Sequence, residues 1–154
     1  MGKLKRQQKQ NTANVPIYRA KFYASIFGNI DRARDKMIKG AFSETIKDAE
    51  IPFIYGHDYN RPIIAKTTLS EDDTGLLVTA EFPYINDGKK FVDDALNKVA
   101  KTFSFGFDYE DIEYIGKDAG NDYFEIRKVK LYEVSTAAVP CNTEAKLVLI
   151  EKIS

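Results

Sequence analysis

Histidine and cysteine are nearly missing from this chain. It holds one histidine, His57, one cysteine, Cys141, and no tryptophan. A single cysteine excludes an intrachain disulfide. One cysteine and one histidine cannot supply the ligands of a cysteine/histidine zinc site, so no metal or other cofactor is expected and a reducing compartment fits best. Net charge is missing too: 23 Lys and Arg balance 23 Asp and Glu. No global field then draws the protein to nucleic acid or to an anionic membrane. No apolar run approaches the roughly 20 residues needed to cross a bilayer. The basic N-terminus has no apolar stretch behind it, so it does not read as a signal peptide. The expectation is a protein that works where it is made, or inside something assembled there.

What is present is an ordinary globular composition over 154 residues, 44% hydrophobic and 30% charged, enough for one domain with a core. Residues 1–14, MGKLKRQQKQNTAN, carry Lys3, Lys5, Arg6 and Lys9 and no acid. Such a stretch cannot offset its ordering entropy by burial, so it reads as a disordered basic tail, with a basic arm for an acidic partner or nucleic acid as the sharper alternative. The domain is expected over residues 15–154. Tyr18, Ala20, Phe22, Ala24 and Ile26 alternate with more polar residues, a half-buried strand. GAFSETIKDA (40–49) reads as a short helix, 51–57 as a strand, and EDDTG (71–75) as a turn between two strands. Phe91, Val92, Ala95, Leu96 and Val99 fall on one helical stripe with Asp87 as N-cap. Strand-like runs follow at 102–114, 123–139 and 145–153. The expected fold is α+β, mainly β: an antiparallel barrel of about seven strands with two helices packed outside.

In KTFSFGF (101–107) the phenylalanines Phe103, Phe105 and Phe107 share one strand face and Ser104 and Gly106 the other. With the phenylalanines in the core, Ser104 faces out beside a residue without a side chain. It is either a solvent-facing strand serine or a nucleophile for an extended peptide. A serine nucleophile needs a base, and His57 is the only imidazole. A third group would orient that ring. Asp58 is adjacent, but neighbours on a strand point to opposite faces. Glu133, in LYEVS, is a carboxylate from elsewhere in the chain, either the orienting group or an exposed strand glutamate. Ser135 shares its face and is a rival hydroxyl.

Taken together, the motifs resemble those of the caudoviral prohead maturation proteases of tailed phages, related in fold to the herpesvirus assemblins. The resemblance runs from about residue 17 to 148, through FGNID (27–31), KGAFSETI, YGHDYNRPI, LSEDDTGL, SFGF and LYEVSTAAVPCNTEA, in that order. It implies a serine endopeptidase with His57 as catalytic histidine, Ser104 as nucleophile and Glu133 at the position of the third, orienting acid. The herpesvirus relatives use a second histidine there, and this chain has none. The implied substrates are the scaffold protein or a scaffold-like extension of the major capsid protein, and the protease itself. The implied location is the prohead interior, in the bacterial host cytoplasm. A homodimer follows by analogy with the assemblins. Two departures stand out. The P-A-N turn is P-C-N here, with Cys141, and the glycine of D-x-x-G-D is replaced in DRARD by Arg34. The alternatives are a catalytically inactive capsid-assembly or scaffold module on the same fold, and a nucleic-acid-binding barrel using the basic tail, which the neutral charge disfavours.

Overall fold

The computed structural model describes residues 14–47, 50–99, 101–116 and 120–154. The tail, all but Asn14, lies outside the described residues. The strands are β1 (Ile17–Ile26), β2 (Asp35–Met37), β3 (Phe53–Ile54), β4 (Pro62–Ile63), β5 (Lys66–Glu71), β6 (Gly75–Pro83), β7 (Phe103–Ile115), β8 (Tyr123–Thr136) and β9 (Leu147–Lys152). One α-helix, α1 (Asn86–Leu96), is formed among the described residues. The mainly β expectation holds. The helix expected at 40–49 does not form over residues 40–47, where the chain makes consecutive turns. The strand expected at 51–57 shrinks to two residues. Asp87 is not the N-cap of α1. That position is Ile85, and Asp87 instead accepts bonds from Arg61 at 2.6 and 3.2 Å. The stripe buries Phe91, Val92 and Ala95, but the helix stops at Leu96, and Leu96 and Val99 are exposed.

The ladders form two sheets. One runs β5-β6-β1-β9; the other runs β2-β8-β3-β4, with β7 on the free side of β8. β8 is long enough to pair along its whole length with β7 and to take two short partners on its other edge. Those partners, β2 and β3, run parallel to it, against the all-antiparallel expectation. The sheets meet at one seam, through the bridge Thr102↔Lys146 and the bonds Phe103 N–H to Ala145 O and Leu147 N–H to Lys101 O. At the opposite side, between β5 and Ile51, Thr67 Oγ1 reaches Ile51 O at 3.2 Å. A cavity of about 710 Å³ lies there, lined by Ile51, Pro52, Ala65 and Leu69 among others.

Between the sheets the alternating apolar residues do what their period demands. Ala20, Phe22 and Ala24 of β1 and Leu76, Val78, Ala80 and Phe82 of β6 are buried. Phenylalanine rings knit the layers together. Phe22 stacks on Phe103 at 3.9 Å between centroids, and Phe53 meets Phe91 edge to face at 5.3 Å. Offset and edge-on pairs of this kind add about 0.5–1.5 kcal/mol beyond their buried area. This packing fixes β3, β7 and α1 against one another, and thereby the elements that carry the site.

Candidate active site

Cross-strand pairing sets which side chains meet. Phe103 lies opposite Thr136, Ser104 opposite Ser135, Phe105 opposite Val134 and Gly106 opposite Glu133. Directly opposed residues point to the same face. Phe103, Phe105 and Val134 therefore share the core side, and Ser104, Gly106, Glu133 and Ser135 share the other. Ser104 is half-buried rather than fully outward. Ser135 is also the partner of Ile54 on β3. Two residues beyond Ile54 the chain turns, and His57 enters from that turn.

The turn is held tightly. Tyr55 N–H bonds Arg61 O, Asp58 N–H bonds Tyr55 O, and Arg61 N–H bonds Asp58 O. Arg61 lies over the Tyr55 ring, whose hydroxyl donates to Asp94 of α1 at 2.5 Å. Gly56 and His57 both sit in the left-handed region, with φ of 61° and 60°. For histidine that conformation costs about 1–2 kcal/mol, so the surroundings must impose it. The Gly56 N–H donates to Thr136 Oγ1 at 2.9 Å and the His57 N–H to Ser135 Oγ at 2.6 Å. His57 is thus in a turn, where a strand end was expected. Asp58 does not orient the ring: its carboxylate accepts the Asn60 N–H, and the imidazole bonds Glu133 instead.

The imidazole Nδ1 lies 2.6 Å from Glu133 Oε1. Glu133 is 2% exposed and the His57 side chain 44%. The other carboxylate oxygen, Oε2, is buried without a hydrogen-bond partner among the described residues. The bond to Glu133 raises the His57 pKa above its ordinary 6.5; burial opposes this and the carboxylate's charge adds to it. A proton on Nδ1 donates to Glu133, which leaves Nε2 free to accept one. Glu133 is not the exposed strand glutamate that was the alternative.

Gly106 lies directly opposite Glu133. A Cβ there would lie 2.7 Å from Glu133 Oε1 and 3.0 Å from its Cγ, so the missing side chain makes room for the carboxylate. Ser135, the rival hydroxyl, is 0% exposed. Its oxygen accepts from His57 N–H and donates to Thr136 O at 3.0 Å, so its capacity is spent on backbone. Ser104 makes no hydrogen bond with the His57 ring among the described residues. The two are linked through Ser135, which neighbours both. What the sequence reading missed is the service of Ser135 and Thr136 to the turn; the only signal was their place beside Glu133.

Arg34, where the resemblance leads one to expect glycine, adopts a glycine-like φ of 65°. Its guanidinium is bonded to the carbonyls of Gly120 and Asp122, which holds the loop in that shape. The turn at Pro140–Asn142 is tied to the β1–β2 connection. Cys141 O accepts the Arg32 N–H, and Asn142 and Asn29 exchange side-chain bonds at 2.7 and 3.1 Å.

Known proteins align with this frame. The prohead protease of Escherichia phage T5 is 36% identical over 101 residues, 66% of this chain and 46% of that protein. The chain therefore spans about half the length of that relative. The family model described as caudovirus prohead serine protease matches residues 3–153, nearly the whole chain, and the chain belongs to that family.

Proposed function

We propose that this chain is a serine endopeptidase of prohead maturation, with residues 15–154 as the protease domain. Ser104 is the nucleophile, His57 the general base and acid, and Glu133 the group that orients the ring. The observation that carries the reading is the 2.6 Å contact of His57 Nδ1 with a buried Glu133, formed on the sheet face that also bears Ser104. The steps follow from that arrangement. Ser104 Oγ bonds to the scissile carbonyl carbon as its proton passes to His57 Nε2. The tetrahedral intermediate collapses, the C–N bond breaks, and His57 returns the proton to the leaving amine. Water then attacks the acyl carbon with His57 taking its proton, the ester bond to Ser104 Oγ breaks, the acid product leaves, and His57 returns the proton to Oγ. Throughout, Nδ1–H stays on Glu133, which stabilises the imidazolium. The bond still to form is the one from Ser104 Oγ to His57 Nε2; catalytic hydrogen bonds are often long or unformed before substrate arrives and tighten in the complex.

The substrates in this reading are the scaffold protein or capsid precursor and the protease itself, cleaved inside the prohead in the host cytoplasm. The name of the phage T5 relative supports this. A homodimer, and the two sheets as the opened wall of an assemblin-like barrel, belong to the same reading. Ser104→Ala tests it. The variant should keep the wild-type circular dichroism spectrum, lose cleavage of scaffold or capsid precursor by at least about a thousandfold, and escape labelling by a fluorophosphonate. Cleavage at near wild-type rate by Ser104→Ala overturns the assignment. A wild-type protein inert to both probe and substrate favours the non-catalytic assembly module.

A further inference from the structure

One short stretch of β8 grips the turn that carries His57. Glu133, Ser135 and Thr136 supply all three side-chain acceptors that bind the Gly56–His57 turn: the carboxylate takes the ring, and the two hydroxyls take successive backbone N–H groups. Ser135 and Thr136 are buried, and neither hydroxyl faces solvent. The β3 strand before the turn is only two residues long, so its ladder to β8 ends at Ile54↔Ser135. Past that point no strand pairing fixes the backbone. A histidine in left-handed conformation would relax towards a commoner one unless held.

We propose that Ser135 and Thr136 are positioning residues of the active site: their hydroxyls lock the Gly56–His57 backbone in its left-handed turn and so keep the imidazole on Glu133. This rests on the reading of His57 as the base. The two hydroxyls act in series with the ladder. β8 carries the pairing as far as Ser135, and its side chains then continue the grip by two further residues. The same Ser135 lies opposite Ser104 on β7, so one buried residue sets the spacing between the strand that bears the nucleophile and the turn that bears the base.

The test uses the single histidine of the chain, whose ring signals in an NMR titration need no assignment. Thr136→Val keeps the shape and removes the acceptor; Ser135→Ala removes the other; Thr136→Ser keeps an oxygen. Each is compared for kcat/KM on a scaffold peptide, for the His57 titration midpoint and for cooperative unfolding. Thr136→Val and Ser135→Ala should fold, lose about ten- to a hundredfold in kcat/KM, as small misplacements of catalytic groups do, and move the His57 midpoint down towards 6.5. Thr136→Ser should stay within about twofold of wild type in rate, as a conservative rescue. Folded variants of both kinds whose His57 titration matches wild type overturn the proposal, whatever their activity. The titration does not depend on peptidase activity, so a failure of the Ser104 assignment is seen separately.

Discussion

His57 Nδ1 and Glu133 Oε1 lie 2.6 Å apart although 76 positions separate them in the chain. The pair is asymmetric. Glu133 is buried beneath the turn, while the imidazole, partly open to solvent, is the only hydrogen-bond partner of the carboxylate among the described residues. The carboxylate therefore fixes the ring more than the ring fixes the carboxylate, which β8 already holds in its ladder with β7.

Glu133→Gln keeps the volume and removes the charge. Its amide can present either an oxygen or an N–H to Nδ1, and the N–H would select the wrong imidazole tautomer. The expected result is a fall in kcat of about a hundred- to ten thousandfold, the range seen when an orienting carboxylate becomes an amide, with KM changed far less. Steady-state kinetics on a scaffold peptide reads this directly; equal kcat in the two proteins would remove Glu133 from the mechanism.

The pH dependence has two opposite signs. His57 must be neutral to accept a proton, and its bond to Glu133 raises its pKa above 6.5. The rate constant kcat/KM should therefore climb with pH through an inflection above 6.5, and Glu133→Gln should move that inflection down. Stability runs the other way. Because the folded state holds the His57 proton more tightly, this group's contribution is fully present below 6.5 and is lost as pH rises through the folded-state pKa. Urea unfolding at a series of pH values, compared between wild type and Glu133→Gln, isolates it.

Gly106→Ala places a methyl 2.7 Å from Glu133 Oε1, on the near side of the ion pair. The carboxylate must move, and its burial beneath the turn leaves it little room. Overpacking of this sort costs about 1–3 kcal/mol, and the His57 ring loses its seat. Lower thermal stability together with a kcat reduced by tenfold or more is expected. A variant as active and as stable as wild type would mean that the carboxylate yields freely.

Phe22→Ala removes the ring stacked on Phe103 in the centre of the core. The loss should be about 3–5 kcal/mol, seen as a lower urea midpoint with unchanged m-value. Phe103 precedes Ser104, so residual activity at 15 °C should fall as well; a shift below 1 kcal/mol would mean that the core collapses around the gap.

Much of the frame is dictated by local sequence. The two-residue period of β1 places Ala20, Phe22 and Ala24 inward, and the turn between β5 and β6 closes on local bonds, Asp72 N–H to Gly75 O and the Thr74 and Gly75 N–H groups to Asp72 Oδ1. The alternation in SFGF likewise puts Ser104 and Gly106 on the side away from the phenylalanines. Residues 40–47 make tight turns in place of a regular helix, with Ser43 N–H on Gly40 O and Lys47 N–H on Glu44 O, three residues back, while Gly40 N–H, Phe42 N–H and the Ser43 hydroxyl bind the Glu71 carboxylate. Nothing local reports that distant acceptor.

By itself, then, the sequence determined which residues alternate, that His57 is the one imidazole the chain can offer, and which family pattern the motifs follow. Only the tertiary structure decided the rest: that His57 leaves its strand for a left-handed turn, that β3 joins β8 in parallel, and that Gly106 is bare for the sake of Glu133. The physical reason is that periodicity fixes the face of a residue within its own strand, whereas the neighbour across the sheet, and the donor that finds its acceptor there, depend on register between segments far apart in the chain.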